Sequence, residues 1–557
     1  MRYGRLSVVA ISFWAAAACS DGGTGVKLPP CAASFGSHVN TALGSDTMLD
    51  PASDSGCVVF ENNPSGIDSA IYLVVPQSAT GVPGVTTSFS LRGDTVRPVL
   101  AAGAAYTPFP TLAQRFHDFL RQSEQHRWFG AAPSGPAPAG VAPFPVPPDT
   151  LGQQRGFSVC SNLTCSVFKH ITATARAVDS TLVIYVDNAA PASGLSNFDL
   201  DTLGQTFDNR LYAIDTTAFG RESDVDGNGK VIVLMTPVVN KLVTKKQCND
   251  PGGGFVAGFF FGADIDPFYA SDSRFNHAEV FYSLVADPDS TLSCAHTVNE
   301  VKHVVPVTFI HEFQHMISYN QHVLIQGGDP EVLWLNEGFS HYAEELGGRS
   351  YLPTDSVTFT RFVIGDLYNA YQYLDSTGNH FLLPTEGIGS LAERGAAWLF
   401  VRYLVDQLRA DTSFAAGANV TRPMEATTFT GAANVANATG VSFDQTVSNW
   451  ALANYVSDLP GFTAPSQLQY TSWSFRAAFA SLHTNYPSDF IKVFPLTPGL
   501  SAGSATSVSG TLRAGSGVYR LVVQPPSGPG FTLRFGTSSG GPLAATPVPR
   551  LSVIKIK

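Results

Sequence analysis

His311, Glu312 and His315 stand in the order His-Glu-Phe-Gln-His inside an apolar run from Val304 to Ile317. On a helix, positions i and i+4 share a face, so both imidazoles can reach one metal ion. Glu312 lies beside them, close enough to take a proton from an attacking water without binding the metal itself. Glu337 follows His315 by 22 positions, enough for a turn and an antiparallel return to the same ion. Two histidines and one carboxylate, with a fourth position open to water, make a catalytic zinc site; a structural site would have four protein ligands. Glu344 is two turns beyond Glu337 on the same face, placed to accept a hydrogen bond from a ligand histidine.

The elements that position these groups are readable nearby. The apolar flank of His311 and His315 predicts a buried helix. Asp329-Pro330-Glu331 predicts the start of the next, with Asp329 as cap and Pro330 in the first helical position. Gly347-Gly348 predicts its end. Glu345 is expected on the solvated side. His341, one turn beyond Glu337, either supports the site or is an ordinary packed or solvated histidine. His303 and His322 have no partner pattern. Peptide-bond chemistry also needs a donor for a developing oxyanion; Tyr342, Tyr368, Tyr371, His380 and Arg394 are candidates among which the sequence does not choose.

A second block, Asp224-Val225-Asp226-Gly227-Asn228-Gly229-Lys230, has two readings. Oxygen side chains at positions one, three and five (Asp224, Asp226, Asn228), Gly at six and the Lys230 carbonyl at seven suit a Ca2+ loop. Position twelve is Met235, so the bidentate glutamate of a complete loop is absent. The other reading is a tight Asp/Gly turn before a strand at Val231 to Leu234.

His311 to His315 followed by Trp334-Leu335-Asn336-Glu337-Gly338-Phe339 resembles the gluzincin peptidases. HEFQHMI, WLNEGFSHYAEEL, the Asp-x-Asp-Gly-Asn-Gly block and Arg394 to Phe400 are together similar to the hyicolysin family of secreted bacterial metallopeptidases. The resemblance covers about residues 165–460. It implies a zincin-like catalytic domain, Zn2+ held by His311, His315 and Glu337, and protein or peptide substrates. The membrane alanyl-aminopeptidases share a WLNEGF-like helix, with a shorter histidine-to-glutamate spacing and an upstream Gly-x-Met-Glu-Asn motif. No such motif precedes His311, and Pro423-Met424-Glu425 lies downstream. Endopeptidase is therefore favoured over a zinc aminopeptidase. A catalytically inactive surface-binding protein on a peptidase scaffold is the rival from another class; the intact His311, Glu312, His315 and Glu337 argue against it.

The chain has 557 residues, too many for one core, and a net charge of −11 without a basic patch, so nucleic acid is not an expected partner. Arg2 and Arg5 precede an apolar run from Leu6 to Ala18, the pattern of a secretory signal over 1–18. Ala16-Ala17-Ala18-Cys19 resembles a bacterial lipobox, although Ala16 stands where that pattern prefers Leu. Cys19 is thus the expected lipid site, and the protein is expected outside the cytoplasm, as a cell-envelope lipoprotein or secreted. The membrane is reached through that anchor or not at all. Setting Cys19 aside leaves six cysteines, an even number suited to an oxidising compartment. Their order along the chain suggests Cys31–Cys57, Cys160–Cys165 and Cys248–Cys294. The expected organisation is a tether (19–30), an N-terminal β-rich domain with a helix (31–130) and a Pro/Ala-rich linker (131–155), where a propeptide could be cut. A zincin-like domain (156–462) and a C-terminal β domain (463–557) follow. The fold class is α+β, with β-sandwich-like domains on either side of the catalytic one.

Overall fold

The computed structural model describes residues 31, 36–52, 56–93, 96, 111–126, 149–250, 253–385, 387, 389–408 and 414–557. The expected signal segment, Cys19, the tether and linker residues 131–148 lie outside the described residues. The chain is α+β. Leu182–Asp187 and Val231–Met235 are almost wholly apolar, as strands covered on both faces must be, and they form the middle of a six-stranded mixed sheet. Its order is Gly258–Phe260, Val280–Ser283, Val231–Met235, Leu182–Asp187, Phe168–Val178 and Gln154–Cys160. The two inner pairings that join Val280–Ser283, Val231–Met235 and Leu182–Asp187 are parallel, and Gly258–Phe260 runs antiparallel at the edge.

The histidine helix, Val298–Tyr319, opens on a capping box between Thr297 and Glu300 and packs against this sheet, with Phe309 edge-on to Phe281 at 4.5 Å. After a π-helical turn at Asn320–Ile325, the glutamate helix spans Leu333–Arg349. It therefore starts later than Asp329-Pro330-Glu331 suggested. The reason is Glu331: its Oε1 accepts from the N–H groups of both Val332 and Gly431 (2.7 Å each), so it ties the helix entrance to another loop. The helix also runs through Gly347 and Gly348. A Cβ on Gly347 would lie 2.9 Å from side chains of both Ile310 and Phe362, so the glycines serve close packing between helices. Ser356–Asp375 and Leu391–Leu408 complete the helical layer around the site.

The flanking β segments differ from the expected pair of separate domains. Residues from both ends share two five-stranded sheets. One runs Ser37–His38, Cys57–Phe60, Phe531–Gly536, Thr86–Gly93, Ser507–Arg513; the other runs Gly499–Ala502, Arg520–Gln524, Ala70–Ser78, Pro549–Lys555, Asp46–Leu49. Unpaired strand backbones must find partners, and here strands near residue 70 find them near residues 520 and 550. Phe60, Tyr72 and Phe531 meet between the sheets, with ring centroids 5.1 and 4.4 Å apart. The segment after residue 463 also begins with a helix, Phe475–Asn485, before its strands. The cysteines pair as Cys31–Cys57, Cys160–Cys165 and Cys248–Cys294, which fits an oxidising compartment. Among the described residues, no helix is long and apolar enough to cross a membrane.

Candidate metal centre

Helical spacing and the antiparallel return bring His311, His315 and Glu337 together, and all three are buried. One candidate ligand atom from each lies within 4.8 Å of the others. Glu337 stands 3.3 Å from His315 Nε2 and 3.8 Å from His311 Nε2. The opposite ring nitrogens are engaged elsewhere. His311 Nδ1 shares a 2.7 Å hydrogen bond with Glu344, and His315 Nδ1 is 3.1 Å from both Asn336 Oδ1 and Ser340 Oγ. These contacts leave the Nε2 atoms facing Glu337, whose Oε2 is buried without a hydrogen-bond partner. A tetrahedral zinc with ligands at ~2.0–2.1 Å separates its donor atoms by about 3.3 Å, so the set fits such an ion. Burial alone would raise Glu337, but Arg394 and the two histidines outweigh it and hold the carboxyl well below its usual range. Burial pushes His315 down to about 3, which leaves it neutral, as a metal ligand must be.

Glu312, next to His311, reaches the edge strand and lines the same cavity as that histidine. Its Oε2 accepts from the N–H of Phe260 on the edge strand at 2.9 Å, and burial raises its pKa. A cavity of about 390 Å3, whose lining includes His117, Thr308, His311, Glu312, His341 and Arg394, opens onto these groups. Of the oxyanion candidates, Arg394 lines this cavity, with Nε and Nη2 buried and without a hydrogen-bond partner, and with Nε 3.9 Å from Glu337 Oε2. Tyr371 accepts from Lys492 N–H, His380 pairs with Glu393 at 3.1 Å, Tyr342 lies under the Arg402 guanidinium and Tyr368 packs edge-on to Phe490.

His341 belongs to the site's surround: its Nδ1 lies 3.0 Å from Glu344 and 2.9 Å from Asp366. Burial opposes its charge, yet these carboxylates push it up to about 10. Glu345, expected in solvent, is buried; Arg349 (2.6 Å), Arg402 (3.3 Å) and the indole N–H groups of Trp398 and Trp473 surround it. Its neighbours on other helices, invisible from local sequence, explain the difference. His322 is buried against Glu425 (3.2 Å), away from the metal set.

The site also recruits residues that sequence reasoning passed over. The helix Leu112–Gln125 carries His117, 3.6 Å from Glu312 Oε1. It also carries Arg121, which donates to the Phe260 carbonyl at 2.6 Å and lies 3.9 Å from Glu312 Oε2. Glu124 pairs with Arg121 (3.1 Å) and accepts from Gly262 N–H (2.8 Å); burial pushes it up to about 7. Positions 117, 121 and 124 share one helix face, a polar stripe whose burial the sequence alone does not reveal.

Farther off, Asp224 and Asp226 meet Glu279, with a carboxylate oxygen of each within 4.8 Å of the others. Asn228 folds back on the loop, its Oδ1 accepting from Lys230 N–H at 2.6 Å. Burial pushes Glu279 up to about 7 and raises Asp226.

No protein-family model matches the chain. Over 150 residues it is 32% identical to the neutral metalloprotease ShpI of Staphylococcus hyicus, a stretch covering 26% of this chain. The match spans 30% of that relative's length. The similarity thus reaches a metalloprotease, over part of each protein.

Proposed function

We propose that the chain is a zinc metalloendopeptidase hydrolysing protein or peptide bonds, with His311, His315 and Glu337 as the metal ligands. The observation that carries this reading is the convergence of two imidazole Nε2 atoms on the buried Glu337 carboxylate, whose Oε2 has no hydrogen-bond partner, with Glu312 on the helix of the histidines. Zinc, when bound, supplies Lewis-acid polarisation of a carbonyl and acidifies a water. Glu312 accepts the proton of the attacking water and returns it to the leaving amine. Its raised pKa brings it nearer the pH at which a group can do both. The Phe260 N–H fixes one Glu312 oxygen, leaving the other to work. Glu344 and Asn336 orient the imidazoles. Arg394, with unspent donors in the cavity, stabilises the developing oxyanion. The partial likeness to a metalloprotease supports peptide substrates. Export from the cytoplasm, with Cys19 as the lipid site, belongs to the same proposal; an unmodified Cys19 in the mass of the mature protein would refute that part.

The deciding experiment measures metal content and digestion of an amino-blocked casein by the full chain, with and without chelator. One zinc per chain and chelator-sensitive cleavage are expected. Cleavage of amino-acid anilides without cleavage of the blocked protein would make the enzyme an aminopeptidase. A chain retaining zinc but cleaving neither would make it an inactive scaffold.

A further inference from the structure

The loop Asp224–Lys230 satisfies itself in ways that any tight turn would. Asp224 Oδ1 accepts from Gly229 N–H at 3.0 Å, and Asp226 Oδ1 from Asn228 N–H at 3.1 Å. Neither bond speaks for a cation. Glu279 is different. It precedes the strand Val280–Ser283, and its carbonyl accepts from Ile232 N–H at 2.7 Å, which fixes it beside the strand that follows the loop. Its side chain is 1% exposed. Oε1 accepts from Ser223 and from Val225 N–H (2.5 and 2.9 Å), whereas Oε2 is buried with no partner. An ionised carboxylate oxygen left dry and unpaired is strongly unfavourable, and this one belongs to a carboxylate packed against two more acids.

The positive charge nearby does not meet this demand. Arg155 reaches Asp226 Oδ2 at 3.3 Å, and Lys230 Nζ is turned to the carbonyls of Asp179 and Ser180. Asp149 adds a further carboxylate, 3.1 Å from Asn228 Nδ2.

We propose that Glu279 supplies, from the neighbouring strand, the carboxylate that position twelve of the loop lacks. With it, Asp224, Asp226, Asn228 and the Lys230 carbonyl bind one calcium ion. The donors are all oxygen, as a hard cation requires, and calcium takes 6–8 of them at about 2.3–2.6 Å. Two oxygens on opposite sides of such an ion are about 4.8 Å apart, so the observed spacing lets all three carboxylates touch it. The ion would join the turn before Val231–Met235 to the start of Val280–Ser283, two adjacent parallel strands of the catalytic sheet.

The test uses the full chain, zinc-loaded and stripped of calcium, titrated with CaCl2 and, separately, MgCl2. The melting temperature should rise with the logarithm of calcium concentration, far less with magnesium, and elemental analysis should find one calcium per chain beside zinc. Glu279→Gln should shift the calcium response at least tenfold to higher concentration. If that variant does not fold, Asp224→Asn, at an exposed position, should give the same shift. The response should persist in His315→Ala, which disables the zinc set, so failure of the zinc reading leaves this one standing. A wild-type melting curve indifferent to calcium, or a Glu279→Gln or Asp224→Asn response equal to wild type, would overturn the proposal.

Discussion

Glu344 and Glu345 are neighbours on one helix, and both are buried, yet they face different worlds. Glu345 is enclosed by two guanidiniums and two indole N–H groups, so the chain itself meets its charge. Glu344 bonds His311, one link in a set that ends in Glu337 and Arg394, whose buried atoms face each other at 3.9 Å without a hydrogen bond, and in an open cavity. The lesson is that burial and charge do not mark a functional face. An incomplete inventory of partners does, because the missing partner is then an ion or a substrate.

The strongest way to sharpen that contrast is within the incomplete set. Glu312→Gln should lower peptidase turnover by about two to four orders of magnitude while zinc content stays at the wild-type level. Glu337→Ala should lose zinc and activity together, and a zinc-selective chelator at fixed calcium should lower the melting temperature of wild type but not of this variant. Normal zinc in Glu337→Ala with zinc lost from Glu312→Gln would reverse the assigned roles.

On the complete face, Glu345→Ala should destabilise the fold by about 1–3 kcal/mol in denaturant titration, since buried donors of Arg402 and the two indoles lose their acceptor while Asp406 still pairs with Arg402 at 2.9 Å. Zinc affinity of the folded fraction should not change. Glu344→Gln should differ by its zinc defect: a loss of about ten- to a hundred-fold in zinc affinity or activity, beside a destabilisation of the zinc-free protein because buried His341 loses one of its two carboxylates. Equal zinc defects in the two variants would erase the distinction.

A third buried carboxylate has neither metal nor guanidinium contact and takes the remaining solution, a proton. Burial pushes Asp264 up to about 7, although Tyr282 O–H and Asn276 N–H donate to it. Its folded pKa exceeds its unfolded one, so the native state holds a proton that the unfolded chain releases. The associated stability is complete below about pH 4 and lost as pH rises towards 7, at up to about 1.4 kcal/mol per pH unit. Asp264→Asn should flatten unfolding free energy against pH over that window. An unaltered slope would show that Asp264 is ionised in the fold.

What the sequence disclosed follows the range of each interaction. His311, Glu312, His315, Glu337 and Glu344 were legible because helical periodicity fixes their relative directions. The apolar run after Lys230 disclosed the strand Val231–Met235 because a strand covered on both faces is apolar throughout. Asp366, Arg121 and Glu279 were not legible, since each reaches its cluster from a separate element. Glu345 was misjudged because adjacency to a site residue says nothing about Arg402 and Trp473, 57 and 128 positions away. The terminal strands were recognised as strands, but pairing between residues 46–93 and 499–555 is a long-range choice that alternation alone does not specify.

That shared pairing changes what a backbone cut would mean. Cleavage between residues 127 and 148 would leave two polypeptides knitted by strands of both sheets, a self-complementing heterodimer. The fragment carrying Arg121 would remain in place with its strands. Cys31–Cys57 lies wholly within the first piece and the other two disulfides wholly within the second, so no covalent bridge would join them. Denaturant without reductant would separate the halves, and mixing them again is how the assembly would be rebuilt.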